Sequence, residues 1–147
     1  MSVDVGPGLR AAIVGETTIT SLLSTYKGAP SVHTRLPIPD GVEFPYVVIG
    51  PDVAVTDYDA LTVDRPIVVR NIYVYGVAGN ALQDDYREVE QVGYALRTLL
   101  HREKDAIAVT GYDVVSIDIS GPLSAPTSDE KIIGRYVVAT IRLRSTA

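Results

Sequence analysis

The side chains best suited to chemistry are few. The chain of 147 residues has two histidines, His33 and His101, and no cysteine. An imidazole that catalyses or binds a metal needs a partner at defined spacing. Neither histidine lies in an HxH, HExxH or HxxE pattern. His33 sits in a proline-rich connection. His101 ends a long helical pattern, where a cation is favoured. Both read as solvated or capping residues. Without cysteine there are no thiolate zinc sites, iron–sulfur clusters, cysteine nucleophiles or disulfides. Asp52, Asp57, Asp59 and Asp64 crowd one stretch, but a calcium loop needs regular offsets, a central glycine and a terminal glutamate. Ala60-Leu61 follows instead, so a solvated loop with Asx turns is expected. Val5-Gly6-Pro7-Gly8 has no strand before it and no Lys-Ser/Thr after it, which excludes a phosphate loop and a dinucleotide fingerprint. There is no G-x-S-x-G elbow. Asp84-Asp85 falls on the polar face of a helix, where solvated charges belong. No catalytic residue, metal site or cofactor is expected, and the chain does not read as an enzyme.

Arg135, Arg142 and Arg144 lie on the last apolar strand. Arg142 and Arg144 share a face, and the strand reads as an edge whose arginines resist pairing or meet another subunit. Nucleic-acid binding is the weaker reading. The chain carries 13 Lys+Arg against 18 Asp+Glu, a net charge of −5, whereas phosphate-held domains cluster basic charge. Tyr136 is the only aromatic on that strand, too few for single-strand stacking. With 46% apolar and 21% charged residues and a mean hydropathy of +0.17, there is little charge to cover a small domain. Some apolar surface is therefore expected to be hidden in an assembly.

The length fits one domain spanning 1–147. Its opening residues show no secretory signal. No uncharged apolar stretch approaches the ~20 residues of a membrane span. Pro7 opens a helix carrying Leu9, Ala12 and Ile13, and Gly15 is expected to end it in a left-handed conformation. Thr17 or Thr18 caps a short second helix with Ile19, Leu22 and Leu23. Ser31 to Phe44 reads as irregular. Phe44–Gly50 is a short strand, Pro51–Asp64 an acidic loop, and Arg65–Gly76 a strand apolar on both faces, as in a covered sheet. Asn80 to His101 is a helix with an Asn80/Gln83 capping box. Gly93 in its apolar stripe implies a close approach to the sheet. Tyr112–Ser120 alternates, with Val115, Ile117 and Ile119 on one face. Gly121–Lys131 is a loop and Ile132–Arg144 a final strand. The fold class is α+β: a mostly antiparallel sheet of about four strands, with one long helix and short N-terminal helices packed on one face.

Over nearly its whole length the chain resembles the tail terminator, or tail-completion, proteins of long-tailed bacteriophages and prophages. The resemblance rests on Leu9-Arg10-Ala11-Ala12-Ile13-Val14 with the Ile19/Leu22/Leu23 helix and on the proline-rich entry into Phe44-Pro45-Tyr46-Val47-Val48-Ile49. It continues through the strand Ile67–Tyr75 into the helix Ala81–Leu100, and through Ser128-Asp129-Glu130 before a Gly134-Arg135-Tyr136 strand. It implies a non-enzymatic virion protein without cofactors, assembled in the host cytoplasm and resident at the tail–neck junction. It implies a self-assembled ring, usually hexameric, that caps the tail tube, stops its growth and meets the head connector. DNA would be passing cargo in the lumen. The expected contact loops carry Asp57, Tyr58, Asp59 and Leu61, and Asp129, Glu130 and Lys131; the expected interface strand carries Arg142 and Arg144. A head-closure or neck protein is the alternative within the virion, and a small-molecule-binding domain or enzyme the alternative of another class.

Overall fold

The computed structural model describes residues 3–34, 40–59, 64–77, 85–125 and 132–146. Helix α1 spans Gly6–Val14 with Pro7 in its first turn. Leu9 and Ile13, one turn apart, are fully buried. The Asp4 carboxylate accepts the Gly6 N–H at 3.0 Å, placing negative charge where the helix dipole favours it. Gly15 ends α1 at φ −77°, right-handed rather than left-handed as expected. Helix α2, Thr17–Thr20, is capped by Glu16, whose side chain accepts from the Thr18 N–H. Neither threonine is the cap, because the chain enters the helix one residue earlier.

A small hairpin follows, β1 (Thr25–Tyr26) with β2 (Ala29–Pro30). Its turn puts both Lys27 and Gly28 at positive φ, the twist-matched geometry of a two-residue hairpin loop. Next comes β3 (Val32–His33), then β4 (Tyr46–Asp59), β5 (Asp64–Val77), helix α3 (Asp85–Leu100), β6 (Tyr112–Ala125) and β7 (Ile132–Ser145). The main sheet has five strands in the order β3-β4-β5-β7-β6. All neighbours are antiparallel except β3 with β4.

Several expectations are corrected. The sheet is mixed and has five strands, because Val32–His33, read as irregular, pairs with Val47 and Val48. The stretch expected to be an acidic loop is strand up to Asp59 and again from Asp64. Its aspartates are paired across β5, with Asp57 opposite Pro66 and Asp59 opposite Asp64. Backbone pairing and the adjoining apolar β5 override the low strand preference of aspartate. Likewise Gly121–Ala125 belongs to β6 rather than to a loop. The Asn80/Gln83 capping box lies outside the described residues.

The core lies between the sheet and the three helices. Leu9, Ile13, Ile19, Val92, Leu96 and Leu100 meet Val47, Val74, Ile117, Val137 and Ile141 there. Gly93 is buried, as expected from its place in the stripe. A Cβ there would lie 2.8 Å from Pro122 Cγ, so α3 crosses β6 with no room for a side chain. Val115 departs from the alternation. Val114 pairs with Leu143 and Ser116 with Arg142, so Val115 is the extra residue of a β-bulge and turns into solvent.

Candidate functional site

The face of the sheet away from the helices carries an unbroken row of rings. Tyr46 stands opposite Tyr75, and Tyr73 opposite both Val48 and Tyr136. Directly opposed residues share a face, so these side chains form one layer. Ring centroids are 5.5 Å apart for Tyr46–Tyr75, 6.0 Å for Tyr73–Tyr75 with planes at 8°, and 5.5 Å for Tyr73–Tyr136. Phe44 joins Tyr46 at 5.1 Å, and His33 bridges Tyr46 to Tyr26 at 6.1 and 5.7 Å. Such tilted and offset pairs are each worth ~0.5–1.5 kcal/mol beyond burial.

Glycine makes the layer possible. Tyr75 lies over its cross-strand partner Gly134, where a Cβ would come within 3.1 Å of the ring. Tyr73 lies over Gly50, where the distance would be 3.3 Å. Both rings cover backbone that a side chain would otherwise occupy. Val48 is nearly fully buried beneath the layer yet outside the helix-side core. The strand Arg65–Gly76 was expected to lie in a sheet covered on both faces. Here Val69, Tyr73 and Tyr75 are only half-buried, and no helix among the described residues packs on them.

Burial in this layer raises the phenol pKa of Tyr46, and raises that of Tyr75 with added repulsion from Tyr73 and Tyr46. Burial, reinforced by the Arg10 charge, lowers that of His33. The raised phenols mean that the unfolded chain loses these protons first. The stabilisation they give is complete below the ordinary tyrosine pKa of about 10 and is lost as pH climbs through the higher folded values. Spectrophotometric titration should therefore show late-ionising tyrosines, and in Tyr75→Phe the late phase should shrink but persist, because Tyr46 stays buried. An unchanged titration curve in that variant would rule out the packing described.

At the other end the same face is charged. Arg142 pairs with Asp118 at 2.6 Å and Arg144 with Asp113 at 3.2 Å, all about half-exposed. Exposed pairs of this kind contribute ~0–1 kcal/mol each. The expectation of an edge strand is corrected: β7 lies between β5 and β6. It became an interior strand because β5 takes its other side. Asp57, Tyr58 and Asp59 lie in strand β4 rather than in a loop. Leu61, Asp129, Glu130 and Lys131 lie outside the described residues. Asp52 is bound to Arg70 Nε at 2.5 Å, and the same guanidinium reaches Asp4 at 3.4 Å. This aspartate therefore ties the β4–β5 hairpin to the start of α1. Among the described residues no three His, Cys, Asp or Glu side chains gather to hold a metal. None of the described helices is long and apolar enough to cross a membrane.

His101 has a structural task that a solvated histidine would lack. Its Nδ1 accepts the Ile119 N–H at 2.9 Å. Arg97 donates to the carbonyls of Ile119 and Gly121 at 3.0 and 3.2 Å, and the Arg102 N–H to that of Ile117 at 2.8 Å. The end of α3 thus closes the free edge of β6 from Ile117 to Gly121. The aromatic row, by contrast, was missed in the sequence. Phe44-x-Tyr46 and Tyr73-x-Tyr75 show the period of two, but only the strand register lines the pairs up with Tyr136.

No family model matches the chain, and no curated protein matches it. Among solved structures, the chain is similar to one from the virion of a native gene transfer agent particle. The TM-score is 0.76 at 14% sequence identity, over 95% of this chain and 93% of that one. The two share a fold over nearly their whole lengths.

Proposed function

We propose that the chain is a virion structural protein, a tail terminator that forms a ring on the end of the tail tube. The observation that carries this reading is the end-to-end likeness of its fold to a chain of a gene transfer agent virion. The resemblance noted in the sequence points the same way. The open aromatic sheet face supports it too, since a contiguous apolar surface on a small domain marks a contact site. Identical subunits joined head to tail close into a ring when the rotation allows. Such a ring has unlike faces. One seats the last tube subunit, and the other offers the tube nothing to copy and is free to meet the head connector. Acidic residues facing the lumen of such a ring would repel DNA and let it slide. The protein would be assembled in the host cytoplasm and remain at the tail–neck junction.

The test is to image the purified protein by negative stain and weigh it by native mass spectrometry, then delete its gene. Closed rings and overlong, headless tails are expected. Persistent monomers with tails of normal length would overturn the reading. Attachment to filled heads before tails arrive would assign the protein to head closure instead.

A further inference from the structure

We propose that the distal half of β4 in one copy docks on the groove beside the start of β6 in the next copy, so that the sheet continues across the subunit boundary. This deepens the ring reading and rests on it. Strand β3 pairs with β4 only at Val47 and Val48. Among the described residues, the outer edge of β4 beyond Ile49 has no strand partner. It projects Val53 and Val55, which are 60% and 49% exposed. An unpaired edge bearing apolar side chains is a template for another chain.

At the opposite side of the sheet, Val109 bridges β6 at Tyr112, and α3 closes it from Ile117 onward. Before that point the bulged Val115 is 52% exposed. It borders a groove of about 530 Å³ that Ile107, Val109 and Val114 line, with Lys104 and Arg144 at its rim. Asp105 and Asp113 also reach this rim, and Asp113 is held by Arg144.

Three observations make the occupant a second copy of this chain. First, β4, β5, β7 and β6 alternate in direction. Copies side by side in one orientation therefore set β4 against β6 antiparallel, the better-bonded arrangement. Second, β4 contains Asp52, Asp57 and Asp59 and no Lys or Arg. Pairing β4 with itself opposes these like charges, whereas the groove beside β6 is balanced, with Lys104 and Arg144 next to Asp105 and Asp113. Third, only the β4–β6 contact uses both apolar edges; pairing β6 with itself leaves Val53 and Val55 bare. Two different surfaces on one chain make a head-to-tail contact, which closes a ring or grows a filament.

The natural chain has no cysteine, so introduced thiols report cleanly. Val115→Lys and Val53→Lys change exposed residues and should keep the wild-type melting temperature by circular dichroism. Both should lose the ring in native mass spectrometry and run as monomers. In the double variant Val55→Cys/Val115→Cys, a short bis-maleimide should give a ladder of covalent multimers. Each single variant alone should give none, and the two mixed should give dimers only. Wild-type rings that survive both lysine variants would overturn this contact and leave the ring reading standing. Dimers from Val115→Cys alone would also overturn it, in favour of a two-fold β6 contact. Lysine-sensitive open filaments would support the contact and refute the closed ring. A monomeric wild type would refute both.

Discussion

Leu96→Asp is expected to leave no folded domain. Leu96 is fully buried on α3, among the core residues between that helix and the sheet. Removing a leucine side chain from such a site costs about 2–5 kcal/mol. The carboxylate adds several kcal/mol more, since it must either stay charged without a partner or take up a proton. Together these match the whole stability of a typical domain, ~5–15 kcal/mol. The measurement is a thermal melt by far-ultraviolet circular dichroism, in which the cooperative transition should disappear. Leu96→Met, which keeps the volume, should retain the transition with a loss under about 1.5 kcal/mol. A cooperative melt of the aspartate variant within a few degrees of wild type would show that α3 does not pack as described.

Gly93→Val is the second large effect, and its sign is the point. On an exposed helix, replacing glycine usually gains a few tenths of a kcal/mol in propensity. At Gly93 the first atom added would lie 2.8 Å from Pro122 Cγ and 3.0 Å from its Cβ. The pyrrolidine ring is rigid and sits in β6, so α3 must move away from the sheet. Overpacking of this kind costs roughly 1–3 kcal/mol, or about 2–10 °C in melting temperature for a chain of this size. A melting temperature equal to or above wild type would refute the close crossing. Arg97 and His101 bond β6 at the same crossing, so a displaced α3 would also uncover the strand edge they close.

Much of this arrangement was legible because it is local or periodic. The stripe of Val89, Val92, Leu96 and Leu100 marks α3 and its buried side. Gly93 within the stripe marks the close approach. Alternation in Ile132–Arg144 separates Val137, Ala139 and Ile141 from the exposed Arg142 and Arg144. The missed elements are those in which a distant partner decides. Val32–His33 is too short to show a pattern and becomes strand only by pairing with Val47 and Val48. Asp52 to Asp59 reads as loop by composition, yet β5 holds it as strand. Val115 obeys the alternation in sequence and leaves it in space, because a bulge inserts one residue without altering the pattern around it.

The candidate surface divides the same way. The chain alone determined the absence of thiol chemistry, the scarcity of imidazoles, the acidic balance and an apolar surplus over charged residues. These are sums over residues, and no folding step changes them. The tertiary structure alone decided that the surplus collects as a row of tyrosines on an open sheet face and as valines at two strand edges. It also decided that the end of α3 closes the edge of β6 from Ile117 to Gly121. The physical reason is register. Residues Tyr46, Tyr75, Tyr73 and Tyr136 come from three strands far apart in sequence, and only cross-strand hydrogen bonding brings them opposite one another.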